Sequence, residues 1–518
     1  MTAILHRLLE LPCTGLPANL PASRVCADNG QWIEIAAAMH RAGAPLLTLW
    51  GADDRDRDGG FRVYAAYLLP DNVTVVELHL REQGSPVYPA IDGWFPAAQR
   101  MQRAVRDLLG ISSGAIDRRG WLRHGGWPEQ VFPLRRDFDA DRRFPNAPAP
   151  YDFVQVEGDG VHEIAVGPVH AGTIEPGHFR FSAVGEKVLR LEERLGYTHK
   201  GIAKRWEGMP QMEGHRLAAR VSGDTAVGFS WAWCAALEAI AETVCPPRAT
   251  ELRALALEHE RIANHLGDLG ALGNDGGFAF GLTQFSRMKE DLLRVNARVF
   301  RARYLMDYVL PGGVAGDLPA EAPALLLEIY SGLESNVSGM RSIYAEHAGL
   351  QDRFRSAGIL ETSLASRLGA TGLAARASGI ARDLRVDHPW PPYDRIAPRT
   401  AAESGGDVAA RVQVRFAEIF ESLRLCRALL QGLSAGSVYA PVPAAAPGRL
   451  GIGLIEAWRG PVMIALESGA HGSIRRCHAH DPSWQNWPLL EYAILGNIVP
   501  DFPLINKSFN LSYSGQDG

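Results

Sequence analysis

The chain has 518 residues, 46% of them hydrophobic and 21% charged, with a formal net charge of -5. That length leaves room for two domains and a large core, and the mildly acidic balance argues against a nucleic-acid partner. The six cysteines are scattered and no two are spaced C-x-x-C, which argues against a disulfide framework or a cysteine-only metal site and for a reducing compartment.

No run of eighteen uncharged apolar residues occurs, so no transmembrane helix is expected. Met1 to Pro12 has the mixed character of a globular start rather than of a leader, so a cytosolic protein that meets a membrane through partners is expected. From Trp32 to Leu80, short β-branched and aromatic runs such as Val73-Thr74-Val75-Val76 predict a small sheet. Ala97 to Leu109 has helical spacing. The stretch Arg135 to Pro150, rich in Arg, Asp and Pro, predicts a linker, dividing a domain of residues 1–145 from one of residues 146–518. Phe153 to Leu191 is again strand-like, with turns at Gly158-Asp159-Gly160 and Glu175-Pro176-Gly177. Glu213 to Leu433 is mostly helical, and the tail from Gly451 predicts short strands and turns. The class is therefore α+β, a small α/β domain followed by a mainly helical one with flanking β segments expected to meet in space.

Among residues able to carry chemistry, His170, His178 and His199 lie in a turn-rich region where an imidazole could face a pocket or simply hold a turn. Glu258, Glu260, Arg261 and His265 share one predicted helix and are explained equally well as a solvated or salt-bridged face. Arg376, Arg382, Asp383 and Arg385 form a dense cluster that suits a buried ion-pair network or an interface. The glycine turns Pro311-Gly312-Gly313 and Gly369-Ala370-Thr371-Gly372 lack the strand and helix context of a dinucleotide site.

Gly167-Pro168-Val169-His170, Tyr197-Thr198-His199-Lys200-Gly201, Pro311-Gly312-Gly313-Val314, Glu260-Arg261, Gly369 to Arg385, Glu456 with Arg459-Gly460, and Asp481-Pro482-Ser483-Trp484 occur in an order that carries a resemblance. From Phe153 onward the chain resembles the large subunit of energy-converting nickel-iron hydrogenases of the formate hydrogenlyase and hydrogenase-4 type, and the D-type subunit of respiratory complex I. Residues 1–145 are similar to the C-type subunit of complex I through Ala97-Ala98-Gln99, Asp107 to Ile111, and Pro133 to Phe138, although Arg100, Gln102 and Ala104 depart from the residues usual there. The resemblance implies a peripheral arm on the cytoplasmic side of the inner membrane. It also implies an iron-sulfur small subunit, like the B-type one of complex I, and antiporter-like, proton-pumping membrane subunits as partners.

In family hydrogenases, two C-x-x-C pairs supply four thiolates to nickel, a soft-ligand requirement. The resemblance puts Ser222 and Thr225 at the first pair and Ser512 and Gly515 at the second. Ala203 stands where those enzymes have a proton-relaying glutamate, and no C-terminal extension for a maturation protease is expected past Gly515. Hydrogen chemistry at nickel is therefore not expected, nor any metal bound by this chain. The quinone-head tyrosine of the D-type subunit would fall at Gly223 and its cluster-side histidine at Leu305, whereas Arg220 matches an arginine facing the terminal iron-sulfur cluster. Two functions are expected from this pattern. In one, the chain transfers electrons and couples within an energy-converting complex, with the iron-sulfur cluster in a partner, a quinone as candidate acceptor, and His170, Glu175 and His178 as candidate proton donors. In the other, it is an inactive pseudo-subunit tethering a partner enzyme to ion-transporting subunits.

Overall fold

The computed structural model describes residues 11–518 apart from 82–85, 146, 148–149 and 172–173. Most of the globular start read at Met1 to Pro12 lies outside the described residues, as do parts of the linker and of the loop after His170.

The first unit is a five-stranded sheet of β1 (Cys13–Gly15), β2 (Ala22–Ala27), β3 (Leu46–Asp54), β4 (Gly60–Leu69) and β5 (Asn72–Leu80), ordered β1-β2-β5-β4-β3. The β2–β5 pair is parallel and the other pairs are antiparallel. The sheet expected from Trp32 onward begins instead with helix α1 (Asn29–Arg41). Asp28 starts it with a capping box, accepting from Gln31 N while the Gln31 side chain accepts from Asp28 N, a local signal stronger than the β-branched composition around it. Helix α2 (Ala98–Leu109) lies on β3, and Gly51 makes this approach possible, since a Cβ there would stand 2.6 Å from Leu109.

The second unit opens with an antiparallel sheet of β6 (Val161–Val166), β7 (His178–Val184) and β8 (Lys187–Arg194). Its helical body is built from α3 (Ala226–Ile240), α4 (Pro247–Asp275), α5 (Ala279–Val299), α6 (Ala322–Glu346) and α7 (Val408–Gln431). Helix α4 is buried on nearly every side, between α5, α7 and the C-terminal elements. Helix α3 lies across a last sheet of β9 (Leu450–Glu456), β10 (Pro461–Ser468) and β11 (Ile474–His480). Beyond β11 the tail departs from the strands and turns expected of it. It folds as α8 (Ser483–Ala493), α9 (Phe502–Phe509) and a last short helix, α10 (Tyr513–Asp517).

The N- and C-terminal β segments do meet. Trp50 of β3 stacks on Tyr64 of β4 and on His478 of β11, with ring centroids 4.9 and 5.0 Å apart, and Thr48 Oγ1 lies 2.9 Å from His478 Nε2. Buried Asp54 accepts from Arg475 at 2.9 Å and Arg476 at 2.8 Å across the junction. Arg100 of α2 reaches Glu193 and Glu491 at 2.9 and 2.7 Å. Charges desolvated together in this way cannot be separated cheaply, so the two units present one surface.

Candidate functional site: a hydroxyl cluster between two distant segments

The turn Val221 to Thr225 leads into α3, and Ser512 caps α10 by accepting from Gly515 N at 2.8 Å. The fold presses these segments together, so that Ser222 Oγ and Ser512 Oγ are 2.7 Å apart. Ser222 donates onward to Asp224 Oδ1 at 2.9 Å, and Thr225 donates to the same oxygen at 3.1 Å. The Ser512 hydroxyl, still free to donate, completes a directed chain Ser512 to Ser222 to Asp224. Arg459 grips Asp224 with both terminal nitrogens, at 2.7 and 2.5 Å. Burial pushes the Asp224 carboxyl upward, but the charge and hydrogen bonds of Arg459 prevail and hold it at about 2. The result is one neutralised ion pair ringed by hydroxyls.

Gly515 brings only its backbone. A Cβ there would stand 2.6 Å from Asp481 Oδ2 and 2.8 Å from Ser512 Oγ, so the room for a side chain is already taken. Asp481 is buried, with Oδ1 accepting from Ser483 N at 2.8 Å and Oδ2 without a partner among the described residues; burial raises its pKa and favours the neutral acid. A nickel-iron centre does not fit these residues, because the hydroxyls are committed to one another, the one ionised carboxylate to Arg459, and no thiol is among them. The thiols of Cys234, Cys426 and Cys477 are buried and pushed well up by that burial. Among the described residues no group of three or more His, Cys, Asp or Glu is placed to hold a metal ion.

The loop Gly196 to Lys200 holds both halves. Asp517 accepts from Gly196 N at 2.8 Å and from Thr198 N and Oγ1 at 2.9 and 2.6 Å, and burial raises its carboxyl to about 6. Lys200 Nζ donates to the carbonyls of Arg220 and Val221 at 2.7 and 3.0 Å. Beside Val221 and Gly515 lies a cavity of about 120 Å³, walled by Trp50, Leu109, Leu134, Trp206 and Trp484, with Ala203, His199 and Asp517 at its edge. It is largely apolar and runs along the junction of the two units.

The remaining candidates sit apart to different degrees. His170 Nε2 is 2.7 Å from the Gly177 carbonyl and His178 Nδ1 is 3.1 Å from the Gly167 carbonyl, so each ring holds the loop backbone. Glu175 accepts from Ser514 N at 3.2 Å and so touches the C-terminal half. Arg220 extends to the surface in a two-pronged pair with Asp307, at 2.6 and 2.8 Å. Gly223 is exposed with open space where a side chain would begin, and Leu305 is buried. Phe229 is fully buried in α3, while Tyr513 packs on Trp487 at 4.8 Å and against Gly177.

The convergence of Arg459, Asp481 and Asp517 on this place was not legible in the sequence; the motifs Glu456 to Arg459 and Asp481 to Trp484 were the available signal for the first two, and Asp517 had none. Nor is the α4 cluster a solvated face. Glu258, Arg261 and His265 are buried in a charged axis with Glu418, which accepts from His265 and Arg376 at 2.8 Å each. Arg376 also reaches Glu456 at 3.0 Å, and Arg385 joins Glu258 at 3.0 Å to Asp383. Arg382 alone of that group is directed outward, 3.4 Å from the Gly43 carbonyl. Glu260 accepts from Val227 N and Gly228 N at the start of α3, at 2.7 and 3.2 Å, and burial raises it to about 8.

Residues 25–144 match the family described as respiratory-chain NADH dehydrogenase, 30 Kd subunit, and residues 268–451 match the 49 Kd subunit of the same enzyme. Formate hydrogenlyase subunit 5 of Escherichia coli is 31% identical over 490 residues, covering 92% of this chain and 85% of that protein. Hydrogenase-4 component G of the same organism is 30% identical, covering 91% of this chain and 83% of that protein. NADH-quinone oxidoreductase subunit 4 of Thermus thermophilus is 27% identical over 68% of this chain and 92% of its own. A solved chain of the membrane-bound sulfane sulfur reductase, an archaeal respiratory membrane complex, superposes with a TM-score of 0.66 at 23% identity, covering 69% of this chain and 99% of that one, which establishes a shared fold. None of the described helices is long and apolar enough to cross a membrane. The chain belongs to the family of formate hydrogenlyase subunit 5 and hydrogenase-4 component G, in which a 30 Kd-type domain is fused to a 49 Kd-type domain of the respiratory NADH dehydrogenase.

Proposed function

We infer that this protein is the large subunit of a membrane-associated, energy-converting oxidoreductase complex and works there by electron transfer and coupling, without a nickel-iron centre of its own. The observation that carries the reading is the Ser222–Ser512 contact of 2.7 Å beside the Arg459–Asp224 pair, a neutral, self-satisfied cluster where the resemblance puts four thiolates. Its partners are an iron-sulfur small subunit, on the side of Arg220, and membrane subunits of antiporter type; the protein sits peripherally on the cytoplasmic face. The apolar lining of the cavity beside Val221 and Gly515 supports a quinone as acceptor, whose entry requires this volume of about 120 Å³ to widen. Glu175, on the Ser514 amide, is the best placed of the three candidate proton donors.

The second reading, an inactive tethering subunit, is favoured by one observation: Asp481 already occupies the space beside Gly515. Purification of the complex with its partners, nickel analysis, and assays of hydrogen uptake and quinone reduction for the wild type and Arg220→Ala separate the readings. Quinone reduction without stoichiometric nickel, diminished in the variant, is expected. Stoichiometric nickel with hydrogen turnover overturns the inference, and reducible clusters with no turnover of any acceptor establish the tether.

A further inference from the structure

On the far side of the loop Gly196 to Lys200 a second cleft, of about 520 Å³, opens where residues 120–129, the end of the linker and strands β7 and β8 come together. Its chemistry is unlike that of the apolar cavity. Three arginines, Arg123, Arg180 and Arg194, line it against one carboxylate, that of Glu129, and the walls are the rings of Trp127, Tyr151, Phe153 and Tyr197. Arg194 is 5% exposed. It donates to the backbone carbonyls of Gly120, Trp121 and Arg123 and forms no ion pair among the described residues. Arg123 has only a loose contact with the well-exposed Glu129, at 3.6 Å. Arg180 pairs with Glu163 at 3.0 Å, while its Nε is buried without a partner among the described residues.

A buried guanidinium held by carbonyls, with no ion-pair partner among the described residues, is costly, and a cleft with such a charge is complementary to an anion from outside. Arginine is also the side chain whose planar fork suits a phosphate group, and two of the three are stacked on cleft aromatics, Arg180 over Phe153 at 4.7 Å and Arg194 over Tyr151 at 4.5 Å. One further donor is wanted from the ligand. His178 lines the cleft, and its Nδ1 is engaged by the Gly167 carbonyl, which leaves Nε2 bare as an acceptor in the neutral ring; that atom has no partner among the described residues. Burial lowers the pKa of this imidazole, which keeps it neutral.

We propose that this cleft is a binding site for a ligand carrying a phosphate group on a planar or apolar body, with Arg123 and Arg180 taking the phosphate, the buried charge of Arg194 behind them favouring the anion, and the aromatic walls taking the body. A nucleoside phosphate and an anionic phospholipid headgroup share that chemistry. The site is separate from the hydroxyl cluster but mechanically linked to it. Trp127 stacks on His199 with centroids 5.9 Å apart, and His199 Nδ1 is 2.8 Å from the Asp517 carbonyl, so an occupant would brace the junction of linker, sheet and C-terminal segment.

The test uses the full chain with whatever partners copurify, titrated separately with ADP, inorganic phosphate, and vesicles of phosphatidylglycerol or of phosphatidylcholine. Tryptophan fluorescence reports binding, and a thermal unfolding shift reports bracing. Saturable binding of ADP, or of phosphatidylglycerol but not phosphatidylcholine, is expected, weakened at least tenfold in the double variant Arg123→Gln with Arg180→Gln; which of the two binds identifies the source of the phosphate. Arg194→Gln is avoided because its carbonyl contacts hold the fold, and Tyr197→Ala provides an independent variant of the aromatic wall. Absence of binding by every probe, or equal binding by wild type and both variants, overturns the proposal. Inorganic phosphate bound as tightly as ADP, with no vesicle binding, overturns the part assigned to the aromatic walls. Neither result bears on the hydroxyl cluster, whose assay is redox turnover.

Discussion

The hydroxyl cluster and the charged axis both lean on helix α4, yet they are built on opposite principles. The axis is built on charges taken out of water together, Glu418 facing Arg376 and Arg261 and Glu258 facing Arg385, with His265, Tyr393 and Ser422 as further hydrogen-bond partners. Removing one charge leaves its buried partners short of compensation. The cluster has a single ion pair, and the rest is neutral hydroxyl whose hydrogen bonds close on themselves. The cluster is thus satisfied by short local contacts around one ion pair, whereas the axis depends on partners drawn from several elements.

Substitutions that attack each side sharpen this contrast. The largest effect is expected for Glu418→Ala, which takes the acceptor from His265 and one of two carboxylates from both Arg376 and Arg261, and costs about 3–5 kcal/mol in denaturant unfolding. A loss below about 1 kcal/mol would mean that the axis is hydrated and the contrast false. Next is Glu260→Gln. The folded pKa of Glu260, about 8, lies above the ordinary 4.5, so its contribution to stability is complete below 4.5 and is lost as pH rises through about 8. Glutamine keeps an acceptor for Val227 N, so the variant should flatten the decline in unfolding free energy between those two pH values.

Gly515→Ala drives a methyl group into Asp481 Oδ2 and Ser512 Oγ and is expected to cost about 1–3 kcal/mol. Combined with Asp481→Ser the cost should shrink, and strict additivity of the two in a thermal-unfolding cycle would show that Asp481 is not what closes the site. The smallest effect belongs to Ser222→Ala, about 1 kcal/mol, because Ser512 keeps its bond to Gly515 N and Asp224 keeps Arg459. The same variant removes one donor from Asp224, so the carboxyl should titrate above its present value of about 2, detectable by NMR. The stability Asp224 contributes is present above its ordinary 3.8 and is lost as pH falls through about 2, so the acid limb of the unfolding curve should move to higher pH.

Local chemistry alone determined much of this protein. The β-branched runs of β3 to β5, the spacing of α2, the helical body from Glu213 onward and the family motifs were legible because neighbouring residues carry those signals. It failed at Asn29–Arg41, where one capping box outweighs composition, and beyond Ser483, where short helices carry little periodicity. On α4 it left a solvated and a salt-bridged face both open, because a helix enclosed on all sides offers no polar face to distinguish a solvated charge from a buried one. The identities at Ser222, Thr225, Ser512 and Gly515 could be taken from the motifs. Their meaning could not, since Ser222 and Ser512 are 290 residues apart and their contact has no local signature. Only the tertiary structure decided that the two hydroxyls bond each other, that Asp481 fills the space beside Gly515, and that Arg459 neutralises Asp224, because each depends on which distant polar groups are driven out of water together.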